Sequence, residues 1–347
     1  VSAFAEKLIA WQQAHGRHDL PWQQTRDPYA VWVSEIMLQQ TQVSAVIAYY
    51  QRFMQRFPTI ASLAQAEQDE VMQYWSGLGY YSRARNLHHA ARTIMHTHGG
   101  VFPTDFDTIQ SLKGIGRSTA AAISVFAFDQ RQTILDGNVK RVLARLYAIE
   151  GWPSLPEVER KLWQLAEQLL PEQQLPAYVQ GLMDFGATLC TRSKPRCHAC
   201  PMQSQCLAYQ QQKVALLPTA KPRKALPEKQ VTLLMIVDAG EILLERRPNQ
   251  GIWGGLWSLP ELSPSQIAVP YIQQTFGFET EVLEVLPVLW HSFTHFKLEI
   301  TPQPLQLIGR RPTLPPHMQW LTLTDAIAAA LPTPVRTLIK ALISARL

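Results

Sequence analysis

Cysteine is scarce and confined: the 347 residues contain four, Cys190, Cys197, Cys200 and Cys206, with none outside that stretch. A disulfide framework spreads its bridges through a fold, so this distribution excludes one and points to a metal-binding loop. Long hydrophobic runs are missing as well. The longest largely apolar segment, Ala120 to Phe128, falls far short of the roughly 20 residues that a membrane-spanning helix needs. The opening residues, Val-Ser-Ala-Phe-Ala-Glu-Lys, lack the charged-then-apolar order of a signal peptide, and a cytoplasmic protein with no membrane partner is the expectation. Internal repeats and low-complexity tracts are also lacking. Charged residues amount to 17% against 46% hydrophobic, which excludes a disordered chain in favour of a globular one.

What is present begins with a modest basic excess, a net charge of +5, which permits a polyanionic partner without demanding one. The length allows about two domains, each with its own core. From Ser2 to about Gln211, apolar residues recur at three- and four-residue spacing, and an all-α domain over residues 1–215 is predicted. Asp27 and Pro28 supply a cap and first turn for a helix reaching Gln40; Thr41 then caps one running to about Phe57. Val139, Val142, Leu143, Leu146 and Tyr147 form the apolar face of a later helix, whose Lys140, Arg141 and Arg145 make a basic side. Residues 216–229 hold three prolines, excess positive charge including Lys221 to Lys224, and no apolar period, as a linker does. Beyond it, Val231 to Val237 and Glu241 to Leu244 read as strands joined at Asp238-Ala239-Gly240. Val288 to Ile300 reads as further strand, and helical patterns return at Thr324 to Leu331 and Pro334 to Ala345, so residues 230–347 are predicted to form an α+β domain.

Three local patterns carry chemistry. The cysteine loop, residues 190–206, has the spacing C-x6-C-x2-C-x5-C, lopsided for paired zinc knuckles. Spacing alone puts an iron-sulfur cluster slightly ahead of zinc. Leu112 to Ala120 contains Gly114-Ile115-Gly116 before an alanine-rich helix. Such a hairpin can be an ordinary turn, or can present free backbone N–H groups at a helix start to a DNA phosphate. Glu35 lies in Ala30 to Leu38, which is apolar on nearly every side. Desolvation there raises a carboxyl pKa and keeps the group protonated, as an acid catalyst requires; a buried, hydrogen-bonded structural Glu is the competing reading. Asp136 and Asn138, taken alone, are as well explained as helix caps.

The Glu35 helix with Gln39-Gln40-Thr41-Gln42-Val43, Gly77-Leu-Gly-Tyr-Tyr81, the hairpin, Leu135-Asp136-Gly137-Asn138-Val139 and the four cysteines occur in that order. Together they resemble the helix-hairpin-helix base-excision glycosylases with a terminal cluster loop, and in detail the MutY-type adenine DNA glycosylases. The likeness covers Ser2 to about Gln211. It implies a 4Fe-4S cluster on Cys190, Cys197, Cys200 and Cys206, whose loop docks DNA with Arg192, Lys194 and Arg196. It also implies that Glu35 protonates adenine, that Asp136 stabilises the sugar cation or adds to it covalently, and that Asn138 helps hold the geometry. Gln40 and Tyr80 match residues that wedge into the gap left by the flipped base, while Gly114, Gly116 and Ser118 match the hairpin that binds DNA.

Two departures qualify the resemblance. Ser118 stands where endonuclease III-type relatives carry the lysine that attacks the sugar, so base hydrolysis without a designed Schiff base is expected. Lys113 replaces a frequent proline. The C-terminal domain resembles the Nudix-like domain that adenine glycosylases append: Leu243 to Pro248 and Gly251 to Trp257 match its opening. Only Glu261 lies between Trp257 and Glu279, too few glutamates to hold magnesium for Nudix hydrolysis. Phe293-Thr294-His295 matches a Phe-Ser-His loop that touches oxidised guanine; without the family, His291 and His295 read as polar positions of a strand facing water. The implied partner is duplex DNA bearing adenine opposite 8-oxoguanine or guanine, bound by a monomer. The rivals are an endonuclease III-like enzyme for oxidised pyrimidines and, more remotely, a nucleotide-pool Nudix hydrolase.

Overall fold

A computed structural model describes residues 2–222, 225–311 and 313–346. Arg223 and Lys224, part of the basic linker run, lie outside the described residues. The chain divides into two compact units, Val1–Gln65 with Asn86–Arg223, and Ala66–Arg85 with Lys224–Leu347.

Every regular element of the first unit among its described residues is a helix. Its starts follow local chemistry. Ser2 caps the helix Ala3–His15 by accepting from the Ala5 amide, and Asp27 caps Pro28–Leu38 by accepting from that of Tyr29. The latter helix stops at Leu38, two residues before the expected Gln40, because Gln39 leaves the helical region at ψ 111° and Gln40 adopts a left-handed φ of 58°. Thr41 does not cap the next helix, Val43–Arg56: its hydroxyl donates back to the Gln39 carbonyl at 3.3 Å, and Gln42 takes the cap position. In the core, Phe4 and Leu8 meet Val125, Val139, Leu143 and Leu182, each large side chain contributing about 1.5–3 kcal/mol by leaving water. Gly181 lets two helices touch closely, since a Cβ there would lie 3.2 Å from Leu8 Cγ and from Gln12 Cβ.

The helix Gly137–Leu146 corrects the expectation of a basic outer side. Arg145 is only 3% exposed and turns inward, while the Lys140 ammonium meets Glu159 Oε1 at 2.7 Å. Sequence periodicity places both residues off the apolar face but cannot tell that other chain segments cover them. No helix among the described residues is long and apolar enough to cross a membrane.

In the second unit a mixed eight-stranded sheet is built from β1 (Glu228–Asp238), β2 (Glu241–Arg246), β3 (Trp257–Ser258), β4 (Glu261–Leu262), β5 (Glu279–Val282), β6 (Leu289–Ser292), β7 (Lys297–Ile308) and β8 (Met318–Thr322). The main path runs β3-β2-β1-β7-β5, with β1 and β7 parallel and the other pairs antiparallel. The expected β1–β2 hairpin forms with Asp238 opposite Glu241; Ala239 and Gly240 adopt φ of 46° and 83°, as a two-residue turn requires. The expected strand Val288 to Ile300 is divided into β6 and β7, because the Phe293 amide bonds the Phe296 carbonyl at 2.9 Å and their rings stack at 4.5 Å. Leu234, Leu243, Leu305, Ile272 and Phe278 form its core. Helices Ala268–Phe276, Leu323–Ala328 and Thr333–Arg346 complete an α+β arrangement. The segment Ala66–Arg85, assigned by sequence to the first domain, gathers with these residues.

Candidate active site

Glu35 sits on Pro28–Leu38 among buried Val31, Trp32, Val33, Ile36 and Met37. Burial pushes its carboxyl pKa up to about 8, and the nearby charge of Asp136 adds to the rise. The side chain opens on a cavity of about 320 Å³. Trp22, Val31 and Phe126 give this cavity apolar walls, while Arg26, Gln180 and Glu35 supply polar groups.

Asp136 caps the helix Gly137–Leu146, as the residue alone suggests: Oδ1 accepts from the Val139 amide at 2.8 Å. Its burial raises the carboxyl pKa, opposed by the Val139 and Asn138 amides, by the Arg141 charge and by the Asn138 side chain. The cap therefore supplies donors that favour the anion at the positive end of a helix. Asn138 Nδ2 donates to Asp136 Oδ2 at 3.4 Å, and Asn138 Oδ1 accepts from Arg141 at 2.8 Å. The arrangement offers a carboxyl group kept neutral by burial, Glu35, and a second, Asp136, whose burial also raises its pKa but which has hydrogen-bond donors and the Arg141 charge to support its anion.

The cysteine loop follows a π-helical turn, Phe185–Leu189, that brings Gly186 against Asn138; a Cβ on Gly186 would lie 2.6 Å from Asn138 Cβ. All four cysteines line one cavity of about 30 Å³, together with Arg145. Burial first, and then the other three thiols, push the Cys200 pKa up to about 11, against the Met202 amide. Four thiolates would repel one another there unless a cationic core joined them. Among the described residues no three His, Cys, Asp or Glu side chains converge as ligands of a single ion. Arg145 donates to Cys190 Sγ at 3.4 Å and to the Thr191 and Arg192 carbonyls, while Arg192, Lys194 and Arg196 are exposed.

The hairpin runs from Phe106–Ser111 into Arg117–Phe128 through Gly114, which must be glycine because its φ is 89° and a Cβ there would lie 2.8 Å from Asn86 Cβ. Gly116 is the N-cap and is exposed. The Ser118 hydroxyl accepts from the Leu135 amide at 3.0 Å and so helps fix the segment leading into Asp136. Gln40 is exposed on its left-handed turn, and Tyr80, on another at φ 50°, is 43% exposed.

In the second unit, Thr294 and His295 are exposed at the β6–β7 turn. Phe293 is half-buried against Trp253, with ring centroids 5.9 Å apart, and His291 packs 4.7 Å from Phe293. Burial lowers the His291 pKa, so this ring is a packed support rather than the water-facing strand position that alternation suggests. Glu261 is paired with Arg247 at 2.9 Å.

Sequence reasoning missed Arg17, Gln180 and Asp184. Asp184 is fully buried and accepts from the Arg17 amide and guanidinium and, at 2.8 Å, from Gln180, thereby fixing one wall of the cavity beside Glu35. The only sequence signal is the four-residue spacing of Gln180 and Asp184 on one helix face.

Family models match two stretches of the chain, and the first of them runs through the Ala66–Arg85 segment that gathers with the second unit. Residues 33–168 match the HhH-GPD superfamily base excision DNA repair protein model, and residues 231–341 match the NUDIX domain model. The adenine DNA glycosylase of Buchnera aphidicola from Acyrthosiphon pisum is 35% identical over 343 residues, covering 97% of each chain. The human adenine DNA glycosylase is 36% identical over 400 aligned positions, covering 97% of this chain and 73% of the relative. A solved thermostable thymine-DNA glycosylase superposes with a TM-score of 0.56 at 30% identity, over 60% of this chain and 95% of its own. With these similarities along nearly its whole length, the chain belongs to the adenine DNA glycosylase family.

Proposed function

We propose that this protein is a monofunctional glycosylase that hydrolyses the N-glycosidic bond of adenine mispaired with 8-oxoguanine or guanine in duplex DNA. The observation that carries the reading is the pairing of Glu35, whose pKa is raised to about 8, with Asp136, a carboxylate provided with donors at a helix N-terminus. Bond cleavage leaves positive charge on the sugar and needs a proton on the departing base. Glu35 delivers that proton, and Asp136 faces the cation as counter-charge or covalent partner. Flipping the base out of the stack costs about a few kcal/mol, less at a mismatch. The flipped adenine enters the cavity beside Glu35, between the apolar walls of Trp22, Val31 and Phe126.

DNA is held by phosphate contacts at the Gly114–Gly116 hairpin and at the basic cysteine loop, while Gln40 and Tyr80 enter the vacated stack. Four cysteines around one cavity suit a 4Fe-4S cluster, which Cys190, Cys197, Cys200 and Cys206 would hold as thiolates and which would tie the loop together beside the core that Leu189 and Met202 join. Ser118 carries a hydroxyl, so no amine is supplied at that position for strand cleavage. The C-terminal domain reads the opposite base through Phe293, Thr294 and His295 and performs no hydrolysis of its own, a reading supported by the exposure of Thr294 and His295.

The test is single-turnover excision from duplexes with adenine opposite 8-oxoguanine, guanine and thymine. Glu35→Gln and Asp136→Asn are each expected to lower excision by roughly 10²- to 10⁴-fold with DNA affinity retained. His295→Ala is expected to narrow the preference for 8-oxoguanine over guanine by about 1–3 kcal/mol, the worth of a base contact. Wild-type rates in either folded carboxylate variant reject the mechanism; release of oxidised pyrimidines instead of adenine favours the endonuclease III-like alternative.

A further inference from the structure

Tyr80 occupies a backbone conformation that must be held. Gly77, Gly79 and Tyr80 have φ of 100°, 76° and 50° within one turn, and only the glycines adopt such values freely. From within, Arg83 steadies the turn: it is 7% exposed and donates to the Leu78 and Gly79 carbonyls at 3.3 and 3.0 Å, with its guanidinium 5.4 Å from the Tyr80 ring centre. Trp75 Nε1 also donates to the Gly79 carbonyl at 3.2 Å.

The residue preceding this turn is Ser76, 8% exposed, and its hydroxyl is shared with the C-terminal domain. It donates to the Leu331 carbonyl at 2.9 Å and accepts from Arg336 Nη2 at 2.7 Å. The same Arg336 nitrogen donates to the Ala329 carbonyl at 3.0 Å, and Gln73 Nε2 donates to the Ala328 carbonyl at 2.9 Å. Residues 328–331, from the end of the helix Leu323–Ala328 to just before Thr333–Arg346, therefore grip the base of the turn that presents Tyr80. The Arg336 bonds are charge-assisted and part-buried and the Ser76–Leu331 bond is buried, so together they fix geometry more tightly than exposed ion pairs do.

We propose that the C-terminal domain sets the placement of Tyr80 through the Arg336–Ser76 hydrogen bond, which makes Arg336 and Ser76 positioning residues for discrimination of the base opposite adenine. The inference rests on the reading of Tyr80 as a residue that enters the DNA stack. The C-terminal domain then has two routes to selectivity: direct contact at the Thr294–His295 turn, and mechanical control of Tyr80. A simple staple between segments would affect all substrates alike. A positioning bond alters their ratio and does so only while the Tyr80 ring is present.

The test uses the full-length protein and single-turnover excision opposite 8-oxoguanine and opposite guanine. Arg336→Met and Ser76→Ala are expected to lower the ratio of the two rates roughly tenfold, the effect of losing about 1.4 kcal/mol in a charge-assisted bond. Ser76→Thr, which keeps the hydroxyl, is expected to retain the ratio. In the Arg336→Met/Tyr80→Ala double variant the ratio should equal that of Tyr80→Ala alone. Multiplicative losses in the double variant, or an unchanged ratio in Ser76→Ala, overturn the proposal. An unchanged ratio in Tyr80→Ala by itself rejects the prior reading of Tyr80, a failure distinguished from the first because it involves no C-terminal substitution. If Arg336→Met does not fold, the Ser76 pair decides the matter.

Discussion

Arg141 donates to Asn138 Oδ1 at 2.8 Å while its Nε donates to the Cys190 carbonyl, also at 2.8 Å. One guanidinium thus spans from the residue beside Asp136 to the first cysteine of the cysteine loop, and a third bond, to the Gly186 carbonyl at 2.7 Å, fixes the π-helical turn between them. Order in the loop and geometry at the carboxylate are consequently linked through side-chain bonds a few residues long.

Arg141→Lys keeps a positive charge but cannot fork to three acceptors. Excision should fall by at least about tenfold, since an Asp136 held loosely loses its orientation toward the sugar. Single-turnover kinetics with the iron content measured on the same preparation separates this effect from loss of the cofactor; an unchanged rate removes Arg141 from the positioning of Asp136.

The raised pKa of Glu35 predicts a basic limb in the pH profile. The acid form is active, so excision should be steady well below pH 8 and fall about tenfold per unit above about 8. Asp136 must be ionised, and because its pKa is also raised, the acid limb should lie above the ordinary carboxylate range. Stability follows the same sign for Glu35: the folded state retains a proton that the unfolded chain releases above 4.5. Its contribution is full below that pH and is lost as pH rises through about 8. Glu35→Gln should flatten both the basic limb and this part of the stability profile, as single-turnover rates and denaturant melts at pH 6 to 9 will record.

Removing a thiol should cost more than one contact. Cys197→Ser is expected to lower iron content, to expose residues 190–206 to proteolysis and to lower the melting point of the helical unit, because Leu189 and Met202 belong to the same apolar core as Phe4 and Leu8, with Cys190, Cys200 and Cys206 packed against it. Stoichiometric zinc without iron, in protein purified without oxygen, contradicts the cluster assignment.

Lys140 lies four residues beyond Asp136 and is the nearest amine in sequence to the reacting sugar, but its Nζ is held by Glu159 at 2.7 Å. Glu159→Gln should free it and increase adventitious imine formation several-fold without raising excision. Borohydride trapping compared with base release measures this; trapping as fast as excision in the unaltered protein rejects the monofunctional reading.

How much of this was legible beforehand differs by residue. The sequence by itself determined the helical character of the first unit, the β1–β2 hairpin and the isolation of the cysteines, because each rests on local periodicity, turn chemistry or spacing. It also marked Glu35, since a carboxylate in an apolar stretch announces its own desolvation. Tertiary structure decided what depends on segments far apart in the chain. Asp184 reaches Arg17 across more than a hundred and sixty residues, Arg145 turns from an expected basic face to the cysteine loop, and Ser76 meets Arg336 on the C-terminal helix. Local patterns specify which face of an element is apolar; only the packed chain specifies which polar partner waits opposite a buried charge, because that partner is brought there by the fold and leaves no periodic trace in the sequence.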